Sequence, residues 1–361
     1  RPDPIAEHLG DADIHTADAR LFPVETRLLA RESSAALPSQ TAEAILRALR
    51  EESGSILAFL PGEGEIRRTI DRLRGSPLPP DVSLHPLYGA MPREEQDAAV
   101  EPPLQGCRKV VLATSIAETS LTIEGIRVVI DCGWMRVSRF SPRNGMSRLE
   151  TLRITRDRAD QRRGRAGRVC AGVCYRLWDE VTDQQLSPEA LPEIYDADLA
   201  ATVLQSAEWG TSARDGLPWF SPPPDASWRQ AITLLQELGA LSPPPPSFRS
   251  PPASAVCPPP ASSITPRGRA MVKLPIHPRL AHMIFEAAHE GCAQRASLLA
   301  ATLAEASSEA SLRNETDVRR LLDRLGNATG HDGFAYRVKE LARRWGHAYP
   351  SQDDRRLSEG I

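Results

Sequence analysis

The 361 residues carry 44 lysines and arginines against 47 aspartates and glutamates, a formal net charge of −3, so any surface for a polyanion has to be a local patch and not a property of the whole chain. The length suits about two or three domains, each with a core of its own. Six cysteines in no disulfide framework, no second pair beside Cys170 and Cys174 to make a zinc site, and no secretory, transit or membrane-length apolar segment lead to the expectation of a cytoplasmic protein with no membrane partner.

Residues 1–35 are weakly periodic and read as a leading linker or edge segment, with a short strand over Phe22 to Leu29. The start, Arg1-Pro-Asp-Pro without a methionine, is that expected of a piece of a longer chain. From Ser39 the apolar residues Ala42, Ile45, Leu46 and Leu49 recur at helical spacing, and Ser53-Gly54 stops the helix before the apolar run Ile56 to Leu60. A helix then opens on Glu63 and Glu65 and closes on Arg72 and Arg74, the charge order a helix dipole favours. Val82 to Leu87 is a strand, Pro92 to Val100 a helix, Lys109 to Thr114 a strand, Ser115 to Thr122 a polar turn and Arg127 to Asp131 a further strand. Short apolar strands alternating with helices predict a parallel sheet covered on both faces, with ligands beyond the carboxyl ends of its strands. The loops after Leu60, Thr114 and Asp131 are therefore the places to look for chemistry.

The rhythm changes at residues 134–154, where two short strands flank Pro142-Arg-Asn-Gly145, a β-hairpin signal. Between Arg136 and Arg168 stand eleven arginines against three acids, a basic patch that the whole-chain charge conceals. Its densest part, Thr155 to Arg168, has six arginines with Gly164 and Gly167 among the last of them, a composition suited to gripping phosphate oxygens through forked guanidinium groups; a solvated basic helix has the same composition. A strand at Val173 to Trp178 closes this unit. Beyond it the patterns predict a helix from Pro188 to about Ser206, a second from Ala226 to Leu238 capped by Asp225, and a strand over Arg269 to Leu274. The proline-rich tract inside residues 242–266 suits neither helix nor central strand. Helical stripes follow from Pro278 onward and compose a small bundle, in which His277 reads as a cap and His282 and His289 as helix-face residues.

Leu112-Ala-Thr-Ser-Ile-Ala-Glu-Thr-Ser-Leu-Thr-Ile123 followed by Gln161-Arg-Arg-Gly-Arg-Ala-Gly-Arg168 resembles motifs V and VI of the DEAH/RHA group of superfamily 2 helicases. Phe59-Leu-Pro-Gly62, Tyr88-Gly89, Arg267 to Met271 and Leu274 to Arg279 fit further family segments, so the resemblance covers nearly the whole chain outside the proline tract. It implies an α/β fold: a second RecA-like domain over 36–182 with its hairpin at 134–154, a winged-helix domain over 183–276 with the insertion 242–266, and a helical bundle over 277–361. It also implies that Arg165 and Arg168, with Gln161 nearby, reach the phosphates of ATP held by a first RecA-like domain. Gly164, Glu118 and Thr119 would contact or couple to the nucleotide. Thr114, Ser115 and Thr122 would contact a nucleic-acid backbone, joined by Arg136, Arg139 and Arg148 of a hairpin similar to the family's strand-separating element. Two positions depart from the family pattern: Ser115 where asparagine is usual, and Arg163 where a small residue is common.

No Gly-x-x-x-x-Gly-Lys-[Ser/Thr] loop and no Asp-Glu-x-His box occur in these residues. ATP and Mg²⁺ are thus expected in the parent protein and not on dedicated residues here, and the isolated chain is expected to be inactive as an ATPase. The expected partners are single-stranded nucleic acid, RNA in preference to DNA, and the missing first RecA-like domain, with the protein itself a monomer. Two other readings stand beside this one: a non-catalytic nucleic-acid-binding module, and a scaffold that recruits partners through its proline tract.

Overall fold

The computed structural model describes residues 2–16, 22–29, 35–119, 123–141, 146–243, 262–306 and 333–348, together with 317, 319, 320, 322 and 325. It divides into two compact units, residues 1–139 with 148–192, and residues 140–147 with 193–361.

The first unit runs α1 (Asp3–His8), β1 (Val24–Leu28), α2 (Leu37–Glu51), β2 (Ser55–Phe59), α3 (Glu63–Arg74), β3 (Val82–Leu87), α4 (Arg93–Val100), β4 (Arg108–Ala113), β5 (Ile126–Asp131), β6 (Trp134–Ser141), β7 (Met146–Arg153), α5 (Arg156–Gly164), β8 (Gly172–Arg176) and α6 (Glu180–Gln185), the last two residues of β6 and the first two of β7 falling in the second. Six of the strands make one parallel sheet in the order β1-β8-β5-β2-β4-β3, and β6 pairs with β7 separately. The four-residue connection between β6 and β7 is too short for a parallel crossover, so the pair is the expected hairpin. The edge strand foreseen near the start is β1.

Burial explains the sheet's sequence. Every residue of β2 is buried, as a strand covered on both faces requires. Ile56 and Ala58 point into a core shared with Ile45 and Ala48 of α2 and Ile66 and Leu73 of α3. Leu57 and Phe59 face the other way, toward Ala99 of α4, Ala117, Ile123 and Ala166. Lys109, at the second position of β4, donates from Nζ to the carbonyls of Ala98, Ala99 and Glu101 at 2.7, 3.1 and 2.6 Å and so caps the carboxyl end of α4. The register aligns the last residues of all six strands in a single row, Leu28, Arg176, Asp131, Phe59, Ala113 and Leu87. This row is the carboxyl edge on which the motif-bearing turns sit.

The second unit is helical: α7 (Ala200–Trp209), α8 (Asp225–Glu237), α9 (Pro266–Val272), α10 (Pro278–His289), α11 (Ala293–Ala306) and α12 (Gly333–Ala348). Its core gathers Val203, Leu204, Trp228, Leu235, Met271, Ile284, Ala300 and Val338. Three sequence expectations are corrected here. Residues 266–272 form α9 where a strand was expected, because Pro266 presets a helical φ, Thr265 Oγ1 accepts the Gly268 N–H at 3.0 Å, and Gly268 lies against the Ala240 carbonyl where a Cβ would come within 2.2 Å. The helix expected from Pro188 begins only at Ala200, whose N–H is taken by Asp198 Oδ1 at 2.9 Å; before it stands one 3₁₀ turn, Glu193–Tyr195. Asp225 is the first residue of α8 and not its cap; it pairs with Arg229 one turn on. Of the proline tract, residues 244–261 lie outside the described residues, and its flanks meet at an antiparallel bridge between Leu241 and Ile264. His277 is the N-cap of α10, accepting the Arg279 N–H on Nδ1 at 3.2 Å, with Nε2 2.9 Å from Asp198 Oδ2.

Of the two motif glycines, Gly167 is required by packing and Gly164 is not. Phe22 N–H donates to the Gly167 carbonyl at 2.9 Å, and a Cβ on Gly167 would stand 2.6 Å from the Phe22 carbonyl oxygen and 2.8 Å from Val24 Cγ2. A Cβ on Gly164, which has helical φ and ψ, meets nothing within 4 Å. Gly167→Ala is therefore expected to destabilise the chain by about 1–3 kcal/mol through overpacking, while Gly164→Ala leaves it unchanged or slightly more stable; urea denaturation of the two variants side by side checks both.

Candidate functional site

Two turns meet on the terminal row. After β4 the chain passes through Thr114, whose N–H donates to Leu87 O at 3.1 Å, into a 3₁₀ turn at Ser115–Ala117 that delivers Glu118. After β7, α5 carries Arg158 and Arg162, four residues apart and hence on one helix face. Both reach Glu118: Arg158 Nη1 donates to Oε2 at 2.8 Å, and Arg162 Nε donates to Oε1 at 2.8 Å. The other arm of Arg162 donates from Nη1 to Asp131 Oδ1 at 2.8 Å, an oxygen that also accepts the Gly133 N–H at 2.9 Å. Its guanidinium carbon lies 4.9 Å from the centre of the Phe59 ring.

Arg162 is 1% exposed, Asp131 0% and Glu118 5%, so these charges persist only because they neutralise each other. Two cations and two anions share the cluster, and an Arg fork is the side chain suited to bridging two carboxylates. Burial alone would lower the Arg162 pKa, but the adjacent charges of Asp131 and Glu118 outweigh it and hold the guanidinium above its ordinary value.

Glu118 also positions the next turn. Its backbone carbonyl accepts from Arg165 Nε at 2.9 Å, at the start of the 3₁₀ turn Arg165–Gly167. Arg165 is buried and Arg168 exposed, and together they line a hollow with room for about one water molecule, its other walls the buried apolar side chains of Leu57, Ile123 and Ile126. Burial first, then repulsion from Arg168, partly offset by Glu118, brings the Arg165 pKa down to about 10. It stays cationic at neutral pH but at a cost that a polyanion set against the pair would relieve.

Of the residues singled out from the sequence, Glu118, Arg165 and Arg168 are thus brought together, with exposed Thr119 adjoining. Gln161 is exposed and Gly164 half-buried, both in the last turn of α5. Thr114 and Ser115 are half-buried at the turn after β4, and Thr122 lies outside the described residues. Arg163 finds room beside Asp160 at 3.8 Å. The hairpin arginines sit apart from this cluster and face acids of their own: Arg136 pairs with Glu65 at 3.1 Å, while Arg139 and Arg148 share Glu150 at 3.4 and 2.6 Å. Sequence reasoning missed Arg158, Arg162, Asp131 and Phe59. One signal was available, since Asp131 ends the otherwise apolar run Val128-Val129-Ile130, and an acid completing a buried strand calls for a buried cation.

Residues 40–170 match the helicase conserved C-terminal domain family. The chain is 39% identical over 303 residues to the ATP-dependent RNA helicase HrpB of Escherichia coli, an alignment covering 84% of this chain and 35% of that protein. It is 33% identical over 288 residues to the pre-mRNA-splicing factor ATP-dependent RNA helicase prp22 of Schizosaccharomyces pombe, covering 78% of this chain and 23% of that one. The crystal structure of the E. coli DExH-box NTPase HrpB superposes with a TM-score of 0.75 at 35% identity, covering 95% of this chain and 39% of the other. The chain therefore spans about a third of the length of HrpB.

Replacing Arg162 by methionine leaves Asp131 without its cation in a dry site and Glu118 with Arg158 alone, and is expected to cost about 3–5 kcal/mol of stability. Arg158→Met, at a side chain that is 32% exposed, is expected to cost less than about 1 kcal/mol. Chemical denaturation of the isolated chain followed by far-UV circular dichroism separates the two; equal losses would contradict the burial argument.

Proposed function

The chain is a helicase C-terminal region of the DEAH/RHA group, and on that premise we propose that it forms the carboxy-proximal part of an ATP-dependent RNA helicase, supplying Arg165 and Arg168 to the phosphates of ATP held by a first RecA-like domain. The observation that carries this reading is the cation pair itself: Arg165 is buried, tied to the Glu118 carbonyl and disfavoured as a cation by burial and by Arg168. An arrangement that holds charge against its own repulsion is preorganised for an anion, and a guanidinium at a transferring phosphoryl group stabilises charge that develops in the transition state. Gln161 on the exposed side of α5 is the accompanying polar group.

The site fits half of the requirement. Arginines suit a polyphosphate, whereas among the described residues no group of three or more His, Cys, Asp or Glu could hold a metal ion. We assign Mg²⁺ and the β- and γ-phosphate cradle to the first RecA-like domain, and closure of two RecA-like domains on a single strand would bring the halves together. Thr114 and Ser115 in the turn after β4, with Thr122, contribute sequence-independent backbone contacts to the strand. The hairpin extends this track through Arg148, whose side chain is 75% exposed. The setting proposed is cytoplasmic and the protein monomeric; among the described residues no helix is long and apolar enough to cross a membrane.

Two measurements test this. The isolated chain is expected to show no ATP hydrolysis above background with or without RNA, while the longer polypeptide bearing a phosphate loop turns over and loses about 10³-fold or more in kcat on Arg168→Ala; turnover by the chain alone, or an active Arg168→Ala enzyme, overturns the proposal. Arg148→Glu is expected to weaken oligonucleotide binding and to flatten its log K against log salt slope by about one unit, read by fluorescence anisotropy at several salt concentrations. Binding that ignores the substitution would leave the hairpin out of the track.

A further inference from the structure

Arg162 touches neither the hollow between Arg165 and Arg168 nor the solvent, yet it joins four pieces of the first unit. Its fork takes the Glu118 carboxylate at the turn after β4 and Asp131 at the end of β5. Nη1 also lies 3.4 Å from the Trp134 carbonyl at the first residue of the hairpin, and the guanidinium stacks over Phe59 at the end of β2. Glu118 in turn gives its backbone carbonyl to Arg165. The line Asp131, Arg162, Glu118, Arg165 therefore runs from the middle of the sheet edge to the buried arginine of the cation pair through three consecutive hydrogen bonds of 2.8, 2.8 and 2.9 Å.

We infer that Arg162 is a positioning residue: it fixes Glu118, and through the Glu118 carbonyl it aims the Arg165 guanidinium, while the same fork holds the first residue of the hairpin to the sheet. This rests on the reading of Arg165 and Arg168 as phosphate-contacting groups. A residue with this role acts on the transition state more than on ground-state binding. Arg168 can still grip the nucleotide when Arg165 is misaimed, but the charge that develops during transfer loses a donor held at the right place. Glu118 is constrained from both sides, since Arg158 holds its second carboxylate oxygen, so removing Arg162 loosens the turn without releasing it.

The test uses the full polypeptide that carries this chain with the phosphate-loop domain. Arg162→Lys keeps a cation but has no fork to span Glu118 and Asp131. The expected result is a fall in RNA-stimulated kcat of about ten- to hundredfold, normalised to the folded fraction, with KM for ATP within about threefold of the parent. Combined with Glu118→Gln, the loss is expected to exceed that of the more damaging single variant by no more than about twofold, because both act through one line of contacts. An unchanged normalised kcat, a purely KM effect, or losses that multiply in the double variant would each overturn the inference. Arg168→Ala run in parallel distinguishes the two levels: if it abolishes turnover while Arg162→Lys leaves the normalised kcat unchanged, the positioning role alone fails; if it leaves turnover intact, the phosphate-contacting reading fails and the inference with it. In the isolated chain the Arg165 Nε–H resonance is expected to exchange slowly with solvent and to lose that protection in Arg162→Lys, and equal protection in both would count against the inference.

Discussion

A guanidinium with no access to water and two carboxylates equally buried are tolerable only as a set, and the carboxyl edge of the sheet is built around that set. Arg162 forgoes its hydration and recovers the loss through Glu118, Asp131 and the face of Phe59; the opposed effects of burial and charge resolve in favour of the cation because both acids lie within hydrogen-bond distance. The geometry depends on register. Asp131 and Phe59 are neighbours in one row because β5 and β2 pair in parallel with their last residues aligned, and a slip of one residue would turn Asp131 toward the opposite face.

From this buried cluster the more exposed chemistry follows. The turn at Ser115–Ala117 ends at Glu118, and Glu118 touches three arginines of the segment running from α5 into the next turn: Arg158 and Arg162 through its carboxylate, Arg165 through its carbonyl. The cation pair thus sits on a support that is itself electrostatic, which explains how Arg165 can be held in a burial that disfavours its charge. Gly167 contributes the close approach to the backbone at Phe22 that locks the far end of the same turn to the edge strand.

Charge counts alone overstate how much of the basic segment is available to a polyanion. Arg162 is consumed inside the protein, Arg176 near it bridges Asp160 and Asp183 at 2.8 and 3.0 Å, and the hairpin arginines face Glu65 and Glu150. A surface whose arginines are partly paired holds their geometry but presents a weaker field than the eleven-to-three ratio suggests. The second unit follows a different logic, in which local backbone chemistry decides. A threonine cap and a proline make α9 from residues whose apolar pattern reads as a strand, and Asp198 binds both the Ala200 N–H at the start of α7 and the imidazole of His277 at the start of α10.

Apolar periodicity and the order of the two motifs determined the alternating α/β layout, the parallel sheet, the hairpin and the arginine pair, because each is encoded by residues close together in the chain. Strand ends were legible to within a residue or two where Gly, Pro or a charge interrupts an apolar run, as at Ser53-Gly54 before β2. The tertiary structure alone decided which arginine is structural and which faces outward. Composition does not separate Arg158, Arg162 and Arg163 from the motif pair Arg165 and Arg168 as structural or available groups; what separates them is the position of each relative to Glu118 and Asp131, residues about 30 to 50 positions away. The strand-like pattern at residues 269–274 failed for the related reason that a cap and a contact with Ala240 outweigh alternation over so short a run. Long-range electrostatics and close backbone contact depend on positions that exist only once the sheet has set its register, and for that reason no local pattern could have assigned Arg162 its place.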